Sequence, residues 1–183
     1  MQDIDKEILI RASQGDMRAF EAVYKSTSSF VYNVAYRVVN NREDAMEVAQ
    51  EVFLTIHHKL KTFRFESSFK TWIYRITANT AINYAKKSSK MKQVPFEEAI
   101  TAGSVDNEAH AHLEAEHQNQ RIEQLLAELN PEQRACVVLR NIQGLSYEEI
   151  AKALKININT VRSRLKRSRE KLLSLKKADY ENV

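Results

Sequence analysis

The stretch NTVRSRLKRSREKL, Asn159–Leu172, crowds Arg162, Arg164, Lys166, Arg167, Arg169 and Lys171 into one run, with Glu170 its only acid. A solvated surface helix usually balances such charge with acids one turn away. This stretch does not, and its residue types suit a polyanion. At about 100° per residue it sorts into faces. Val161, Leu165 and Leu172 share an apolar stripe, whereas Thr160, Ser163, Lys166, Arg167 and Glu170 spread over the opposite arc. Arg162, Arg164 and Arg169 flank that arc. Short polar and long basic side chains reach base edges in a major groove, and flanking guanidinium groups hold phosphates. The candidate DNA-reading set is Asn159, Thr160, Arg162, Ser163, Arg164, Lys166, Arg167 and Arg169.

A second stretch, TFRFESSFKTWIYRITANTAIN from Thr62 to Asn83, interleaves aromatics with basic residues and amides. Aromatic faces stack on unpaired bases, basic groups hold a strand's backbone, and an amide pairs with a base edge. Arg64, Ser67, Phe69, Lys70, Trp72, Arg75, Asn79 and Asn83 are the candidates, with the two asparagines one helical turn apart. Phe69, Trp72 and Ile73 would serve a hydrophobic core equally well. In DAMEVAQEVF, Asp44, Glu47 and Glu51 share one helical side beside Gln50, and the other side is apolar. On its residues alone this is a solvated acidic face.

These residues need elements to hold them. The basic stretch follows LSYEEIAKAL, where Ser146 and Glu149 have the spacing of a capping box. Ile150, Ala151 and Leu154 form the buried side of that short helix, and Asn157 can cap the next. A small Ala151 with apolar Ile156 and Val161 fits a helix-turn-helix: the alanine permits close approach and the others fill the angle. Upstream, Ile4, Ile8 and Leu9 sit at helical spacing. Phe20, Val23, Tyr24, Val31, Val34, Ala35 and Val38 then form a stripe behind an Asp16 cap. Ala45, Val48, Ala49, Val52 and Ile56 form another.

The chain of 183 residues has three glycines and two prolines, too few turn residues for a many-stranded fold. The reading is all-α: a helical unit over 1–87, an acidic flexible linker over 88–118 and a second helical unit over 119–183. No Lys or Arg lies between Gln93 and Gln118, so the net charge of +4 conceals an acidic middle between basic ends. The lone Cys136 rules out an intrachain disulfide and reads as a small buried hydrophobe. No signal peptide or membrane-spanning run is visible, which predicts a cytoplasmic protein. His110, His112 and His117 fall in the linker and are not expected to form a metal site. No acid/base pair, nucleophile motif or phosphate-cradling loop suggests an enzyme or a cofactor.

DAMEVAQEVF, then TFRFESSFKTWIYRITANTAINYAKK, then an acidic linker and a helix-turn-helix together resemble the sigma-70 family. The match is to the compact extracytoplasmic-function (ECF) group, which keeps regions 2 and 4. That resemblance implies a promoter-specificity subunit of bacterial core RNA polymerase. Region 2 would dock on the polymerase clamp through Asp44, Glu47, Gln50, Glu51 and Phe53. The loop from about Phe63 to Phe69 would capture an unpaired base, and Asn79 and Asn83 would read the melted −10 element. Region 4 would read the duplex −35 element and meet the polymerase flap. The linker would thread the nucleic-acid channel, and an anti-sigma factor is an expected partner. Lys155 stands where this turn often has glycine, at a cost of about 1 kcal/mol if φ is positive. His57 and His58 stand where aromatics are frequent. The alternative is a stand-alone helix-turn-helix regulator on a palindromic operator, which has no use for a base-capturing loop.

Overall fold

A computed structural model describes residues 4–91 and 120–181, and every regular element among them is helical. Helix α1 (Lys6–Ser13) starts at Asp5, whose carboxylate accepts the Glu7 N–H. Gly15, at φ 95°, turns the chain into α2 (Met17–Val39). Asp16 caps α2 by accepting the Arg18 and Ala19 N–H groups, and it also holds the Arg11 guanidinium at 2.6 Å. Asn40 ends α2 in the left-handed conformation, and Asn41 caps α3 (Arg42–Lys59) through the Asp44 N–H. A 3₁₀ turn at Leu60–Thr62 and an aromatic loop lead to α4 (Phe69–Met91).

Val31 and Val38 of α2 share a core with Ala45, Val48, Val52 and Ile56 of α3, all fully buried, and with Ile73, Ala78 and Ala81 of α4, while Val23 packs with Leu9, Ala12, Ala19 and Leu60. The alanines let the helices approach closely. Tyr24, expected on the α2 stripe, is 47% exposed. Thr27 is buried instead, its hydroxyl donating to the Val23 carbonyl at 2.7 Å. That internal bond lets a polar residue occupy a core position.

The second unit comprises α5 (120–127), α6 (Pro131–Val137), one π turn (Val138–Ile142), α7 (Tyr147–Leu154) and α8 (Ile158–Glu181). Capping boxes start α6 (Asn130 with Gln133) and α7 (Ser146 with Glu149). The Ser146 backbone N–H and hydroxyl hold the Glu149 carboxyl below its ordinary pKa. Lys155 ends α7 at φ 54°, so the turn does need positive φ and lysine adopts it. The Asn157 side chain accepts the Asn159 N–H at the start of α8.

The two units share one hydrophobic core. Helix α4 packs on α7 and α6, and α2 packs on α6. Arg134 is the principal polar tie. Its guanidinium, 8% exposed, donates to the Val38 carbonyl across the units at 2.8 Å and to Leu126, Ala127 and Leu129 at 2.7, 3.3 and 3.0 Å. The Val38, Leu126 and Ala127 carbonyls lie in the last turns of α2 and α5, and that of Leu129 just beyond, where backbone acceptors run short of intrahelical donors and carry partial negative charge. Burial lowers the Arg134 pKa from its ordinary value. The Tyr74 hydroxyl donates to Gln143 Oε1 at 3.2 Å, and burial pushes its pKa up to about 12. Lys86 and Glu132 pair at 2.5 Å. The expected linker, with His110, His112 and His117, falls almost wholly outside the described residues.

Candidate nucleic-acid and polymerase interfaces

Helix α8 buries Val161 and Leu165 and packs Leu172 against the core. Ser168, fully buried, completes that stripe and donates to the Arg164 carbonyl at 2.8 Å. Its place three residues after Leu165 was the available signal for its burial. Lys166, Arg167 and Arg169 are exposed, and Arg162 is exposed with Nη1 on Asn159 Oδ1 at 3.1 Å. Thr160 and Ser163 are half-buried, the Ser163 hydroxyl donating to the Thr160 carbonyl. Lys166 lies 3.8 Å from Glu170, an exposed pair of little energetic weight that leaves the ammonium available. Arg164 points elsewhere. It is half-buried near the Cys136 thiol, whose pKa burial pushes up to about 11 against the pull of this cation.

In the loop before α4, Phe63 is the centre of an aromatic cluster. Its ring lies 5.0 Å from Trp72, 4.8 Å from Phe65 and 5.9 Å from Phe69. Trp72 and Phe69 are half-buried and also pack on the core, so they combine the two uses left open by the sequence. Phe65 takes φ 57°, unusual for a bulky residue, and is 40% exposed under the Lys6 ammonium. Arg64, Ser67, Trp72 and Arg75 line a cleft beside this cluster. Its far wall is Glu149 and Lys152 of α7. Sequence reasoning missed both, because only the packing of α7 on α4 brings them there.

The two asparagines of α4 have different surroundings. Asn79 Nδ2 donates to the Arg75 carbonyl at 2.7 Å and to the Ala153 carbonyl of α7 at 3.1 Å. Asn83 is exposed, as is Lys70. Among the described residues, Arg75 Nε is buried with no hydrogen-bond partner.

On α3, Glu47, Gln50 and Glu51 are exposed and Asp44 is half-buried. Phe53 is half-buried, its ring 4.5 Å from that of Tyr24. Beside them runs an apolar groove between α2 and α3, bordered by Phe20, Tyr24, Tyr32, Met46, Phe53 and Leu54. Met46 is 62% exposed and Leu54 57%. Neither lies on the core stripe of α3, and that displacement was the signal by which both were legible as surface residues. Among the described residues, no group of three His, Cys, Asp or Glu side chains is placed to hold a metal ion. No helix among them is long and apolar enough to cross a membrane.

An all-helical pair of units, one bearing an aromatic loop and the other a helix-turn-helix, defines a class of bipartite transcription factor. The family model for sigma-70 region 2 matches residues 23–91, and that for sigma-70 region 4 matches 119–172. The chain is 31% identical over 180 residues to the RNA polymerase sigma-H factor of Pseudomonas aeruginosa, covering 92% of each chain. It is 33% identical over 175 residues to the ECF RNA polymerase sigma-E factor of Escherichia coli K12, covering 91% of each. The fold is similar to CnrH in its complex with the cytosolic domain of CnrY, with TM-score 0.68 and 24% identity over 96% of this chain and 98% of that one. It is also similar to the sigma factor RpoE of Bartonella quintana, solved with the anti-sigma factor NepR, with TM-score 0.66 and 21% identity over 87% and 98%. The chain belongs to the sigma-70 family, in its ECF group.

Proposed function

We propose that this protein binds bacterial core RNA polymerase and directs it to promoters. It reads the −35 element through α8 and the −10 element through α4 and the aromatic loop before it. The observation that carries this reading is the presence, on one chain, of an aromatic cluster bordered by basic groups and a helix-turn-helix whose outward arc is basic. A duplex-only regulator needs the second and not the first. Lys166 and Arg167 face base edges, and Arg162 and Arg169 lie beside phosphates. Phe63, Phe65 and Trp72 offer an unpaired base a stacking surface, which offsets a cost of a few kcal/mol for leaving the stack. The acidic face of α3 docks on a basic polymerase surface, and Met46, Leu54 and Tyr24 add apolar area beside it.

The factor supplies specificity and strand opening, while bond formation belongs to the polymerase. Its place of work is the cytoplasm, and an anti-sigma factor is its expected regulator, as the family resemblance implies. Both Asn79 amide hydrogens are donated within the protein, to the Arg75 and Ala153 carbonyls, so only Oδ1 is left to meet a base. Bidentate pairing of Asn79 with a base therefore requires its bond to Ala153 to break, and so α4 and α7 to part. In vitro transcription with purified core polymerase and a cognate promoter tests the proposal. Promoter-dependent initiation is expected, and its absence with folded protein would overturn it.

A further inference from the structure

The acidic face of α3 is not left to solvent alone. The Tyr84 hydroxyl, reaching across from α4, lies 2.7 Å from Glu47 Oε2 and 3.1 Å from Asp44 Oδ1. The Tyr84 ring is half-buried and packs against the core, so packing fixes its position independently of the carboxylates. A phenol has one proton to donate, and the shorter contact gives it to Glu47 while Asp44 stays within reach. The hydrogen bond to Glu47, with burial and the Asp44 contact behind it, raises the Tyr84 pKa. The hydroxyl therefore remains a donor throughout the physiological range. Among the described residues, no ion pair involves Asp44, Glu47 or Glu51. The charges of this face are uncommitted to any cation, and a neutral donor holds one of them, Glu47, with Asp44 within its reach.

Immobilising a rotamer-rich side chain on binding costs roughly two- to tenfold in affinity. A face whose carboxylates are already held in one arrangement avoids part of that loss. We propose that Tyr84 is a positioning residue for polymerase docking: its hydroxyl orders the Glu47 carboxylate, beside that of Asp44, toward the basic partner surface. This rests on the reading of α3 as the polymerase dock.

Tyr84→Phe removes the hydroxyl and keeps the ring, so the core packing survives. The test compares core-polymerase affinity for the full-length protein, Tyr84→Phe, the pair Asp44→Asn with Glu47→Gln, and all three changes together. Thermal melting is followed in parallel. Tyr84→Phe is expected to weaken binding about three- to tenfold with little change in melting. The effect should vanish in the background where both carboxylates are amides. Unchanged affinity for Tyr84→Phe, alongside a clear loss in the amide pair, would overturn the positioning role and leave the dock intact. The same loss from Tyr84→Phe in both backgrounds would also overturn it, because the hydroxyl would then act on its own. If the amide pair bound polymerase like the wild type, the docking assignment itself would fail.

Discussion

Arg162, Arg164 and Arg167 show how little residue type alone decides on α8. Arg167 projects from the outward arc, Arg162 leans on Asn159, and Arg164 is half-buried near Cys136. Arg167→Ala is expected to cost about 1–3 kcal/mol of −35 discrimination. Arg162→Ala should weaken binding across sequences and lower the salt slope by about one. Fluorescence anisotropy on matched and scrambled −35 duplexes over a salt series separates the two. Asn79→Ala should reduce −10 discrimination in promoter-binding competition while core-polymerase affinity holds. The inward course of Arg164 was not legible, because the helical wheel places it beside the arc and cannot show Cys136 on a neighbouring helix.

Local chemistry wrote the elements legibly. The Asp16 cap, the Ser146–Glu149 box and the stripes of α3 and α8 are all short-range signals that the structure realises. Tyr24 was misjudged because an aromatic at the edge of a stripe looks apolar whether it faces the core or a groove. The close of α7 offers a test of local backbone cost. Lys155 occupies the left-handed region without glycine's freedom. Lys155→Gly should stabilise the protein by about 0.5–1 kcal/mol in urea unfolding, the relieved strain exceeding the added freedom of the unfolded chain.

At the scale of the molecule, no sequence signal foretold the closure of one unit on the other. Arg134 with Val38, Asn79 with Ala153 and Tyr74 with Gln143 are pairs separated by 96, 74 and 69 residues. Contacts so distant leave no periodicity to read. Arg134→Met should destabilise by about 2–4 kcal/mol, because buried carbonyls lose their donors, and Arg134→Lys should restore only part of that. Urea melts followed by Trp72 fluorescence and by helical ellipticity should coincide in the wild type, as one core predicts one transition.

The shared core has a further consequence for the chain's continuity. A covalent path between the units holds them at high local concentration, yet the apolar surfaces and the Arg134 bonds persist without it. A single protease nick between residues 91 and 120 should therefore leave two fragments that elute together from a sizing column and part only in denaturant.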